Sequence, residues 1–334
     1  MALKLSSMVG RHIAIKLPQS NFYTFTMQIL STDEIAALFG TTKDRLDKES
    51  LAHIAACDWG YEPLKQKERD SIIISLLERI ENRKLTIVAN EDKSRWDTGW
   101  GENLKAFQES NGDLDALIPK YIRPGEIIRL NGELVRSRDP NFELNWFKIF
   151  SRWFFITYLS SYDTIFEFGC GSGINVAKLA EMFPEKVIYG LDWAQPSVDI
   201  VESLRTLRGM RTQGASFDFF HPDEKFEFPP NSAVITVGAM EQTGTSWQAF
   251  LDFLIRKGPA RVHHIEPIFE WYDPTELVDY TALKAHEARN FWRGYPTRLL
   301  ELEQAGEVAI HNSKRAHFGS LVLEGYSQLI WSPI

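Results

Sequence analysis

The chain has 334 residues, 44% hydrophobic and 13% aromatic, enough to bury a substantial core in one large or two smaller domains. Its net charge of −8 argues against a broad electrostatic footprint on DNA or RNA. Two cysteines, Cys57 and Cys170, support neither a disulfide framework nor a cysteine zinc site, so a reducing, cytoplasmic compartment is expected.

In chain order, Lys4, Ser6, Ser7, Arg11 and His12 give no signal-peptide core, and no apolar run approaches membrane-spanning length. Residues 12–17 and 22–30 are β-prone pieces separated by Pro18 and a polar turn. Ser31-Thr32-Asp33-Glu34 supplies the capping residues of a helix through residues 35–39, closed by Gly40. Residues 44–58 continue helically. Residues 64–83 form the clearest early helix, with Ile73, Leu76, Leu77 and Ile80 as an apolar stripe for packing. Residues 92–110 carry Trp96, Trp100 and Phe107 around Gly99 and Gly101, and read as a helix with an irregular aromatic turn and a small core. Breaks at Asn111-Gly112-Asp113, Pro119, Pro124 and Gly125 place a domain boundary at Pro124. Residues 1–124 are then a mostly helical N-terminal cap, and residues 125–334 a second domain.

Past the boundary, Asn131-Gly132 signals a hairpin between residues 127–130 and 134–135. Residues 141–159 form a long aromatic helix. Thr164–Phe168 reads as a strand, followed at once by Gly169-Cys170-Gly171-Ser172-Gly173 and a helix over residues 174–183. A strand over residues 187–191 then ends on Asp192, completing one βαβ unit. Alternate glycines let the backbone turn sharply and let a ligand lie against main-chain N–H groups. The helix N-terminus adds partial positive charge there. An acid about 20 residues on, at the end of the next strand, is placed to accept hydrogen bonds from ribose hydroxyls. The stretch is built to hold a nucleoside.

Further helices are expected at 198–207 and 247–256, with strands at 215–219, 233–237 and 261–265. The fourth strand gives way to Gly238-Ala239-Met240-Glu241-Gln242. The fifth, RVHHI, ends on Glu266-Pro267, and alternation puts His264 and Glu266 on one face. A long helix over 275–305 should kink at Gly294-Tyr295-Pro296. Strands at 307–312 and 324–331 close the chain, joined by a loop carrying Arg315, His317, Phe318 and Ser320. The order specifies an α/β fold with a doubly wound, seven-stranded sheet.

Spacing in the glycine loop separates the nucleoside classes. A G-x-G-x-x-G fingerprint fails, because Ile174 follows Gly169 and Gly171 at the third position, and Val176 follows Gly171 and Gly173. The pattern present is E-x-G-x-G-x-G, led by Glu167 and answered by Asp192. It resembles motif I of the class I S-adenosylmethionine-dependent methyltransferases, and the resemblance extends over residues 141–334. The tail, with His264-Ile265-Glu266-Pro267 and Phe318-Gly319-Ser320, is faintly similar to sugar O-methyltransferases. The resemblance implies a Rossmann-like, mostly parallel sheet whose sixth strand is parallel and seventh antiparallel. It also implies S-adenosyl-L-methionine as cofactor, bound by Glu167, Gly169, Cys170, Gly171, Gly173, Asp192, Trp193, Asp218 and Gly238. Trp193 would face the adenine, and Asp218 its amino group. Tyr121, Arg123 and Arg129 are candidates to reach the cofactor carboxylate, Arg being suited to bidentate pairing. The [DNS]-P-P-[YF] motif of amino-methyltransferases is absent, since Gly238-Ala239-Met240-Glu241 stands in its place.

Methyl transfer requires positioning, water exclusion and, where the acceptor is protonated, a base. His264 is the first candidate and His317 the second, with Glu241, Glu266 and His286 as further candidates. No metal is expected, because His263-His264-x-Glu266 on a strand is not a ligand spacing. The reading is methyl transfer to oxygen or nitrogen of a small polar acceptor, a sugar or other metabolite, with no DNA or membrane partner. A homo-oligomer is compatible with it. Two alternatives stay open: a protein- or RNA-modifying methyltransferase with an N-terminal docking domain, and a nucleoside-binding module without transferase activity.

Overall fold

The computed structural model describes residues 27–88, 93–120, 122, 124–125 and 127–334. The piece at 12–17, most of that at 22–30, and Tyr121 and Arg123 lie outside the described residues. After β1 (Gln28–Ile29), the Ser31 hydroxyl accepts from Glu34 N–H at 3.2 Å and the Glu34 carboxylate accepts from Ser31 N–H at 2.8 Å. This capping box starts α1 (Thr32–Phe39). The helix expected across 44–58 is shorter. Asp47 caps α2 (Lys48–Ala56) by accepting from the Glu49 and Ser50 N–H groups, and the chain then extends into β2 (Gly60–Pro63). Next come α3 (Gln66–Glu81) and α4 (Ser94–Glu109). Asn131 and Gly132, both with positive φ, turn β3 (Ile127–Leu130) into β4 (Glu133–Ser137), as the hairpin signal requires.

From α5 (Phe142–Leu159) onward the elements alternate. They run β5 (Thr164–Phe168), α6 (Ile174–Met182), β6 (Val187–Asp192), α7 (Gln195–Arg208), β7 (Thr212–Ser216) and β8 (Ser232–Val237). The series continues with α8 (Gln248–Lys257), β9 (Arg261–Glu266), α9 (Leu277–Arg289) and α10 (Tyr295–Gln304). It closes with β10 (Val308–Lys314), β11 (Phe318–Ser320) and β12 (Ser327–Pro333). The expected single helix over 275–305 is two helices, because Asn290 and Gly294 both take left-handed conformations and the chain restarts with Pro296 in the first turn of α10.

The seven-stranded sheet has the order β10-β12-β9-β8-β5-β6-β7. Strands β5 to β9 are parallel, and β12 runs antiparallel between β9 and β10. Both faces are covered. Ile165 packs with the α5–α6 layer, while Phe166 and Phe168 pack with Trp247, Phe250 and Leu299. This is the doubly wound, mostly parallel α/β architecture expected. The order reverses at β5, with β6 on one side and β8 on the other, so the carboxyl ends of β5 and β8 flank a crevice.

A second sheet, β1-β2-β4-β3-β11, is antiparallel throughout and joins strands from both sides of Pro124. Its last strand comes from the segment expected as a plain loop. That segment crosses over α5, where Phe318 stacks on Trp146 with ring centroids 4.2 Å apart. Helix α5 is apolar nearly all round because it is packed on both sides. A side chain at Gly319 would run into the Leu323 carbonyl, which explains the residue there.

Arg129 is fully buried and does not reach the glycine loop. Its guanidinium donates to the Leu321 and Val278 carbonyls at 3.0 and 2.6 Å and to Thr281 Oγ1 at 2.8 Å. Arg315 pairs with Asp279 and Glu324, and His317 Nδ1 lies 3.9 Å from Glu324 Oε1. These groups clasp the 315–324 segment onto α9. Among the described residues, no helix is long and apolar enough to cross a membrane.

Candidate functional site

Between β5 and α6, Gly169, Gly171 and Gly173 all have positive φ, at 71°, 51° and 71°. Gly169 N–H and Cys170 N–H both donate to the Leu191 carbonyl, at 2.7 and 3.1 Å, and so dock the loop on β6. Asp192 completes the docking, its Oδ2 accepting from Gly171 N–H and its Oδ1 from Ala194 N–H, each at 2.9 Å. The carboxyl is 6% exposed, and burial raises its pKa to about 6.

The loop opens on a cavity of about 200 Å³ lined by Gly169, Gly171, Asp192, Trp193 and Gly238, five of the nine positions expected to bind cofactor. The other four stand behind or beside it. Glu167 is buried under the loop, where its Oε1 accepts from Asn175 Nδ2 at 2.9 Å. Cys170 is buried with its thiol pushed up by burial, and Gly173 faces Ile200. Asp218 lies past the end of β7, which stops at Ser216. Its carboxylate accepts from Phe220 N–H at 2.8 Å and faces His221 Nδ1 at 3.2 Å.

The opposite wall comes from residues ahead of Pro124: Thr86, Ile87, Val88, Arg95, Trp96 and Trp100. The two tryptophans stack at 6.1 Å and Arg95 lies 4.4 Å over Trp96. The Trp100 ring is pressed on Gly171, with Cζ2 2.8 Å from where a β-carbon would stand. Trp96 and Trp100, read from sequence as a small core, therefore line the cavity. The far end is Phe219, Phe220, Ala239, Gln242 and Thr243. No spacing rule marks these in the sequence, although Gln242 falls in the run that follows the fourth strand.

His264 does not reach this cavity. Trp331 Nε1, an obligate donor, lies 3.2 Å from His264 Nε2, and Tyr295 OH lies 2.9 Å from the same nitrogen. Nε2 therefore accepts, Nδ1 carries the proton and donates to Thr236 Oγ1 at 2.8 Å, and Thr236 donates to Glu266 Oε1 at 2.7 Å. The shared face of His264 and Glu266 is real, but it points into the core. Burial holds the His264 imidazole neutral, with a pKa near 3. His317 is half exposed, and it too does not line the cavity. His286 is buried against Phe269, Tyr272 and Phe291 with neither ring nitrogen bonded.

Glu266 has a different task from the one expected. Its Oε1 also accepts from the Ala239 and Met240 N–H groups, both at 3.1 Å, and so fixes the turn Met240–Thr243 that forms the cavity's end. Burial and the Glu241 carboxylate beside it raise its pKa well above the ordinary range. Glu266→Ala should lower stability by about 2–3 kcal/mol, since several buried N–H and O–H donors lose their acceptor. Glu266→Gln keeps a carbonyl in that place and should fall within about 1 kcal/mol of wild type. Denaturant unfolding of both variants checks this, and an equal loss in the two would refute it.

Glu241 is buried, with Oε1 accepting from Gln242 Nε2, 3.9 Å from where a β-carbon on Gly238 would stand. Its Oε2 and Gln242 Oε1 are unpartnered. Among the described residues, no group of three His, Cys, Asp or Glu is disposed to hold a metal ion.

No protein-family model matches this sequence, and no curated protein is similar to it. Solved structures align with parts of it. Human N-acetylserotonin methyltransferase in complex with SAM aligns at TM-score 0.44 and 13% identity, over 80% of this chain and 67% of that one. An O-methyltransferase family 2 protein from Planctomyces limnophilus in complex with apigenin aligns at TM-score 0.40 and 12% identity, over 58% of this chain and 59% of that one. A SAM-dependent methyltransferase from Aquifex aeolicus aligns at 0.38 and 12%, over 54% and 87%. The chain thus spans less than two thirds of the Planctomyces protein.

Proposed function

We propose that the chain is an S-adenosylmethionine-dependent methyltransferase acting on oxygen or nitrogen of a small acceptor. The observation that carries this reading is the E-x-G-x-G-x-G loop docked on Asp192, at the crevice where the strand order reverses, opening on an aromatic-walled cavity. The residues present fit the cofactor. Gly169 and Gly171 leave bare main chain on the cavity, Asp192 lines it with a carboxyl, and Trp193 offers a ring. When bound, S-adenosylmethionine supplies the methyl group.

The chain's own residues supply the rest. Trp96, Trp100 and the 86–88 segment exclude water from the cavity. On this reading residues 1–124 act as a cap and residues 125–334 as the catalytic domain. Gln242 Oε1 is free to accept from an acceptor's O–H or N–H and so to orient it. Asp192 lines the cavity on the cofactor side, whereas Glu241 stands behind Gly238, 3.9 Å from where a β-carbon there would stand, and is the residue we assign to take the acceptor's proton. Glu266 positions the turn that carries it.

Calorimetry tests the cofactor. S-adenosylhomocysteine should bind and NAD should not; the reverse would end this reading. Asp192→Ala should weaken S-adenosylhomocysteine by about 1.5–3 kcal/mol, the scale of a charge-assisted hydrogen bond. Because the acceptor is the ionised carboxylate, wild-type affinity should also fall as pH drops through about 6, and the variant should lack that step.

A further inference from the structure

A second cavity of about 380 Å³ lies between α2, the single turn Leu114–Leu117, α5 and α6, and it shares no lining residue with the first. Three cationic side chains, Lys148 and Arg152 on α5 and Lys178 on α6, border it together with His53. Arg152 is committed to Asp47 at 2.8 Å and Glu49 at 2.7 Å. Lys178 is not. Its ammonium donates to the Lys148 carbonyl at 2.8 Å and Ser151 Oγ at 2.6 Å, both uncharged, which leaves a third N–H. No carboxylate pairs with Lys148 or Lys178 within 4 Å among the described residues. Of the other lining acids, Glu181 lies 3.8 Å from Arg208, and Asp115 is exposed.

Two groups on different walls sense the same positive field. Burial, Lys148 and Arg152 hold the Lys178 amine near 7 against the opposing pull of Glu181. Burial, Lys148 and Lys178 lower His53 against an Asn145 hydrogen bond. An anion between them would relieve that repulsion. Beside the charges, Phe147, Leu144 and Ile174 give the cavity an apolar wall.

We propose that this cavity is a second ligand site, for a small organic oxyanion whose charged group sits between Lys148 and Lys178 and whose apolar body lies on Phe147 and Ile174. The site is independent of the first cavity, and its test needs no cofactor. Phenyl phosphate titrated into the full chain should bind saturably, and more tightly than inorganic phosphate. Affinity should fall about tenfold or more in Lys148→Gln and in Lys178→Met. With phenyl phosphate bound, the Lys178 amine, followed by NMR of labelled lysine, should titrate at least about one unit higher, matching a tenfold linkage. No saturable binding up to about 10 mM, well above the millimolar scale of weak sites, would overturn the proposal. So would unchanged affinity in Lys148→Gln, which leaves the backbone carbonyl that Lys178 bonds in place.

Discussion

Replacing Glu241 by glutamine is expected to slow methyl transfer by roughly 10²–10⁴-fold, the usual share of general-base catalysis, while S-adenosylhomocysteine binds as to wild type. Glu241 and Glu266 are neighbouring buried carboxyls, and two such groups do not both ionise readily. Glu266 is the member whose pKa is raised, by burial and by its neighbour's charge. Its Oε1 already serves Thr236 and two backbone N–H groups, so its position is fixed. Beside it Glu241 has one oxygen accepting from Gln242 and the other without a hydrogen-bond donor among the described residues. Between it and the cavity stands Gly238, which has no side chain to block an approach. Glutamine keeps the shape and the oxygen but cannot take a proton. Single-turnover transfer to the acceptor, measured beside calorimetry with S-adenosylhomocysteine, separates the two effects. A near-normal rate removes Glu241 from the chemistry. A rate loss that tracks a loss of cofactor affinity makes it a wall residue only.

The contrast with His264 shows where sequence reading succeeds and where it stops. Alternation along RVHHIE correctly put His264 and Glu266 on one face, because period-two geometry is local to the strand. Which way that face points depends on what covers it, and α10 covers it through Tyr295, a residue 31 positions away. The glycine loop was legible for the opposite reason. Its turn, its helix start and its docking acid lie within one βαβ unit, so the spacing alone carries the geometry. The doubly wound sheet was legible from the alternation of short apolar runs with helices. The small sheet was not, because β1, β2 and β11 are short and meet only in the tertiary structure. The stretch around Trp96 and Trp100 announced an aromatic cluster, but sequence could not say that Trp100 would be set against Gly171.

Glu167→Gln is expected to abolish a pH dependence of stability amounting to about 4 kcal/mol between pH 5 and pH 9. In the folded chain Glu167 has a pKa of about 8, raised mainly by burial and further by the charge of Asp192, against the opposing amide of Asn175. Unfolded, it titrates near 4.5. A carboxyl whose folded value is the higher one contributes fully below about 4.5 and loses that contribution as pH rises through about 8. The slope is about 1.4 kcal/mol per unit, and it runs over roughly three units of the window. Asp192 adds a slope of the same sign below about 6, and the buried imidazoles of His263, His264 and His286 add the opposite sign below their ordinary value. Both sets are present in the variant and largely cancel in the comparison. Glutamine keeps the oxygen that accepts from Asn175, so the loop should stay in place. Denaturant unfolding at intervals from pH 5 to pH 9 should show wild type losing stability relative to the variant as pH rises. Parallel curves would mean that Glu167 is not the buried neutral acid beneath the glycine loop, and that water or ligand reaches its carboxyl.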